Sequence, residues 1–145
     1  MYHSAYKSKT KKMKKVIASN TNYDLSVDSE KNRLHIACKG FWAKGEIVDQ
    51  YIVDQKEAIN YLKSGFTVVA DMRNFKTLPL DLVEKQQQSH LDLVNAGMFK
   101  VAEILPQSAI AKSQLNKVTE TSSMPNMQFA EISEGESWLD AQSKN

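Results

Sequence analysis

The residues of this chain best placed to do chemistry stand together behind a short apolar run. Phe66-Thr-Val-Val-Ala70 leads into Asp71, Arg73, Asn74, Lys76 and Thr77, and Leu78-Pro79-Leu80-Asp81 follows. Asp71 and Arg73 are one residue apart, a spacing that points both side chains to the same face of a strand. A guanidinium held there is a polar anchor for an anionic ligand, and a helix starting just beyond adds free backbone amides. The same residues also have a structural reading, with Asp71 capping the turn and Arg73 pairing with a neighbouring carboxylate. Trp42 joins the candidates on other grounds. It follows Phe41, and adjacent aromatics on a strand face opposite sides. One of the two is therefore exposed or covers a helix; an exposed tryptophan is a natural interface anchor, while the structural reading of Trp42, which the pattern favours, is packing between strand and helix.

Other chemistries find less support. His3, His35 and His90 show no metal-binding spacing, and Cys38 is the single cysteine, with no second thiol to pair with. No phosphate loop of the GxGxxG or GxxxxGK type occurs among the five glycines. Nothing marks a nucleophile with its base and orienting acid. The expectation is a protein without metal, cofactor or enzymatic activity, in a reducing cytoplasm. His90 lies in Gln86-Gln-Gln88-Ser-His90, a polar helix face expected to meet solvent. That face suits a transient protein interface or is simply solvated. Trp138, beside Leu139, reads as a lid over the core.

A chain of 145 residues fits one domain. No apolar run approaches the roughly 18 residues that span a bilayer, and no signal-peptide core opens the chain, so membrane insertion is not expected. The formal net charge of +2 comes from the N-terminus. Without residues 1–12 the chain carries 15 basic against 17 acidic residues, which argues against a nucleic-acid partner. Residues 1–20 read as a disordered basic tail and residues 21–143 as a single domain.

Tyr23-Asp-Leu25-Ser-Val27 and Leu34-His-Ile36-Ala-Cys38 alternate apolar and polar residues around a polar turn, the pattern of a β-hairpin. From Gly45 to Leu62 the apolar positions recur at helical spacing, and Ser64-Gly65 ends the run. Phe66–Ala70 reads as a strand buried on both faces. A second helix runs from Pro79 to about Ala96, a strand from Phe99 to Leu105, a helix from Ser108, a short strand over Met127–Ile132 and a last helix capped by Ser133-Glu-Gly-Glu136. Besides the Asp71 region, the strand-end loops offer Lys44, Gln107, Ser108, Ser133 and Glu134, since ligands of open parallel sheets bind beyond the strands' carboxyl ends. The fold class is α/β, in the order ββαβαβαβα.

That order resembles the STAS domain family, the fold of bacterial anti-sigma-factor antagonists, over about residues 23–141. The hairpin with Gly40, Lys63-Ser-Gly65-Phe66-Thr-Val-Val-Ala-Asp71 and the Glu136-Ser-Trp138-Leu139 ending carry the resemblance. It implies a mostly parallel five-stranded sheet with an N-terminal hairpin and four helices, and partner binding through the second helix and the loop before it. The family's regulatory members place an Asp-Ser-Ser-Gly phosphorylation turn at the start of that helix. Here the position holds Pro79-Leu80-Asp81-Leu82, with no serine and with Thr77 the nearest hydroxyl. The resemblance thus implies a non-enzymatic interaction module without the switch, binding a protein partner or itself as a homodimer. The alternative is a sensor or carrier of a small anionic or lipid-like ligand, held at the strand ends by Arg73 and Trp42.

Overall fold

A computed structural model describes residues 14–106, 112 and 126–143. In chain order the elements are β1 (Lys14–Ser19), β2 (Tyr23–Asp28), β3 (Arg33–Phe41), α1 (Gly45–Ile59), β4 (Thr67–Thr77), α2 (Leu80–Asn95), β5 (Lys100–Ile104), β6 (Asn126–Phe129) and α3 (Ile132–Ser143). The strands form one sheet in the order β1-β2-β3-β4-β5-β6. Pairing is antiparallel through β3 and parallel from β3 to β6. The α/β class holds, while the sheet is mixed and six-stranded rather than mostly parallel and five-stranded.

The extra strand comes from the segment read as tail. Lys14-Lys-Val-Ile-Ala-Ser19 pairs with β2, turning the expected hairpin into a three-stranded meander. Its alternation is hidden because it is an edge strand exposed along most of its length, with lysines where an interior strand would be apolar. A bulge between Val16 and Ala18 also breaks its period of two. Residues 1–13 and the helix expected from Ser108 lie outside the described residues, as does Gln107. Among the described residues there are three helices.

The sheet is covered differently on its two faces. On one, α1 and α2 pack over Leu25, Leu34, Ile36, Val68 and Val101, contributing Val48, Tyr51, Leu82 and Leu93. Both helices lie on that face because successive right-handed crossovers stepping the same way across a sheet stay on one side. On the other face α3 sets Leu139 against Val69, Ala102 and Ile104, with Trp138 packed at the edge of this second cluster. The Trp138 and Phe129 rings lie 5.7 Å apart. Burial on both sides explains the unbroken apolar run into β4. α3 packs mainly on β4, β5 and β6 and meets β3 through polar side chains, so the β2–β3 part of this second face keeps polar groups.

Gly97 locks the end of α2 to the start of β4. Its φ is +100°, and an added Cβ would lie 2.3 Å from Ser64 Oγ. A residue with a side chain would clash there and strain the backbone.

Candidate functional site

Asp71 and Arg73 do share a face, and they bind each other. Arg73 Nε donates to Asp71 Oδ1 at 2.9 Å and Nη2 donates to Oδ2 at 3.0 Å, with the Arg73 amide adding a 3.2 Å bond to Oδ1. This is the fork-to-carboxylate pairing that a bound anion would otherwise occupy. Asn74 and Lys76 are exposed, and Thr77 is half-buried with its hydroxyl donating to the Leu78 carbonyl at 3.3 Å.

Trp42 is not at the surface. It is 1% exposed, against 63% for Phe41. The opposite-face argument holds, but the inward residue is the tryptophan. The β3–β4 register slips between Ala37 and Lys39 and again between Gly40 and Phe41. Gly40 takes a φ of +68°, which a side-chain-bearing residue rarely adopts. Beyond this kink Trp42 enters a cluster with Tyr23, Tyr51 and Phe75, at ring separations of 5.7, 5.2 and 6.1 Å. Its indole N–H reaches the carbonyls of Asn22 at 3.1 Å and Lys39 at 3.2 Å. A buried tryptophan needs such acceptors.

Among the described residues, the exposed large apolar groups at this end of the sheet are Phe41 and Leu80, the latter 79% exposed. Phe41 faces Thr77 across the β3–β4 pairing, and Leu80 opens α2 three residues beyond Thr77. Lys44 and Lys76 are exposed on the same loops. A signal for Leu80 was present, since it falls off the stripe that turns Leu82 and Val83 inward.

The glutamine-rich stretch of α2 also differs from expectation. Gln86, Ser89 and His90 are buried. Gln55 of α1 donates to the Ser89 carbonyl at 2.8 Å, which places Ser89 in the α1–α2 contact. Burial depresses the His90 imidazole to about 4, leaving it neutral.

Where α3 leaves the second face open, a cleft of about 210 Å³ is lined by Asp24, Ser26, His35, Asp71 and Ile132, among others. His35 lies 2.8 Å through Nε2 from Glu136 Oε2, and the other Glu136 oxygen accepts from Arg33. Arg33 is fully buried, with Nη1 3.0 Å from Asp140 and Nε donating to Thr67 at 2.9 Å. Burial acts to raise the Glu136 pKa, but the hydrogen bonds and charges of His35 and Arg33 outweigh it and hold the carboxyl below its usual range. An ionised Glu136 is suited to accept the His35 Nε2–H. Asp24 is paired with Lys39 at 3.0 Å, as Asp71 is with Arg73, so among the described residues the cations beside the cleft already hold carboxylates. None of these contacts is visible from sequence spacing, because His35 and Glu136 are 101 residues apart. The Ser133-Glu-Gly-Glu136 cap also works differently: Glu134 accepts from the Glu131 amide at 3.1 Å, freeing Glu136 for its ion pairs.

Among the described residues no helix is long and apolar enough to cross a membrane, and no group of three His, Cys, Asp or Glu side chains is arranged to hold a metal. No family model, curated protein or solved structure matches this chain.

Proposed function

We propose that this chain is a non-enzymatic, STAS-like interaction module of the bacterial cytoplasm that docks a protein partner, or a second copy, at the carboxyl ends of β3 and β4. The observation that carries the reading is the pair of exposed apolar side chains there, Phe41 and Leu80, flanked by Lys44 and Lys76. Single exposed apolar residues are ordinary, but two large ones on one rim form the centre of a contact that polar side chains can surround. Pro79-Leu80-Asp81-Leu82 stands near the place of the resembling family's phosphorylation turn, and without a serine there docking does not use that switch. The alternative of an anionic ligand at the strand ends has less support, since Asp71 occupies the Arg73 fork and Trp42 is buried.

Native mass spectrometry of the protein purified from its own cells tests this reading. A complex with a protein or with a second copy is expected, and it should be lost in the Phe41→Ser/Leu80→Ser double variant. A monomer carrying a small bound molecule, unchanged in that variant, would favour the ligand alternative instead.

A further inference from the structure

Between α2 and the sheet lies a cavity of about 30 Å³. Ile36, Val68 and Val101 supply apolar wall, and Gln86, His90 and Glu103 supply polar groups. Gln86 and His90 stand four residues apart on α2, a spacing that brings side chains together on one helix face. Each is 9% exposed. Gln86 Oε1 and His90 Nδ1 are buried without a hydrogen-bond partner among the described residues. Glu103 differs, since its Oε1 accepts from Gln128 at 2.9 Å and from Asn126 at 3.3 Å.

Two orphaned polar atoms lining one cavity, an amide oxygen that accepts and an imidazole nitrogen that donates or accepts by tautomer, call for a partner able to do both. Buried polar groups in folded proteins are almost always satisfied, by protein or by ordered water. The volume also permits one, because a single water needs roughly 10–15 Å³ of space for its centre. A cation is a poorer occupant: the wall is largely apolar, and one Glu103 oxygen already takes two amide donors.

We propose that this cavity is a binding site for an uncharged hydroxyl group that donates to Gln86 Oε1 and also bonds His90 Nδ1. In plain buffer the hydroxyl belongs to water; a short alcohol, with one O–H, donates it to Gln86 Oε1 and accepts from the Nδ1–H tautomer of His90, its alkyl group suited to the Val68 and Val101 side of the wall. α2 is accordingly seated on the sheet through a wet contact at its centre. The site is independent of whatever docks at Leu80.

Methyl-labelled full-length protein provides the test, through nuclear Overhauser effects between water and the methyl groups of Ile36, Val68 and Val101, followed with and without deuterated ethanol. Long-lived water cross-peaks at these methyls are expected, together with their loss in the Gln86→Leu/His90→Leu variant. Ethanol that weakens the cross-peaks with saturable shifts identifies an exchangeable hydroxyl site. Cross-peaks that ethanol leaves intact identify water as its occupant. Wild-type protein with neither water cross-peaks nor ethanol shifts at these methyls has a dry cavity, which would overturn the proposal whether or not the double variant folds.

Discussion

Arg33 and Glu136 pair across 103 residues of sequence and fasten the start of β3 to the first turns of α3. The arginine is buried while Glu136 keeps 28% of its side chain exposed, so the carboxylate neutralises a charge that has no access to water. Breaking such a pair by removing one partner costs more than the pair itself contributes, because the survivor is left buried and uncompensated. Glu136→Gln is therefore expected to lower stability by about 3 kcal/mol, with Asp140 limiting the loss. Urea denaturation checks this. A change within experimental error would mean that Asp140 alone satisfies Arg33.

Stability should fall on the acid side in two stages. His90 has its folded pKa depressed from 6.5 to about 4, so the unfolded chain binds a proton more readily than the folded one. Its contribution is complete above about pH 6.5 and disappears as pH falls towards 4. For a group so buried the effect is on the order of 3 kcal/mol. The groups that face the same cavity are Glu103, Cys38 and Tyr51, and burial raises Cys38 to about 12, so it stays neutral through this window. Glu136 is also depressed in the folded state, so its stabilisation is present above its ordinary 4.5 and is lost at lower pH. Denaturant midpoints measured from pH 7 to 3 should show a slope between 6.5 and 4 that His90→Leu removes. An unchanged slope in that variant would place the titration elsewhere.

The neighbours Phe41 and Trp42 should separate cleanly. Trp42→Ala opens a hole within the Tyr23–Tyr51–Phe75 cluster and should cost about 3–5 kcal/mol. Phe41→Ser and Leu80→Ser remove exposed groups and should stay within about 0.5 kcal/mol of wild type. Thermal melts of the three variants decide it. A large loss at Phe41 would mean that its exposed side chain carries packing energy.

Much of the scaffold was legible because β4 and the two helices that flank it obey simple periods. Phe66–Ala70 announces a strand buried on both faces, though that strand runs on to Thr77 through the residues read as a charged turn, because they continue the pairing with β3; Gly97 marks the end of α2 through the φ that only glycine takes easily there. β1 was not legible, since an edge strand that buries little has little reason to alternate. The site was harder for two reasons. Trp42 turns inward at a kink set by Gly40 and two register slips, which hydrophobic pattern does not encode. Arg33, His35 and Glu136 meet through tertiary pairing, and their spacing along the chain carries no trace of it. His90 looked solvated among glutamines, yet α2 turns Ser89 to Gln55 of α1 and Gln86 and His90 to a cavity against the sheet.

The claim that the β3–β4 end of the sheet is a docking surface is tested most directly by photo-crosslinking in the native cell. A photoreactive residue is placed at Leu80, and in a parallel strain at Val53, which is 59% exposed on α1. The account predicts a protein adduct of one defined mass from position 80 that is lost when Phe41→Ser is added, with none from position 53. Equal labelling at both positions, or no adduct at position 80, would contradict it.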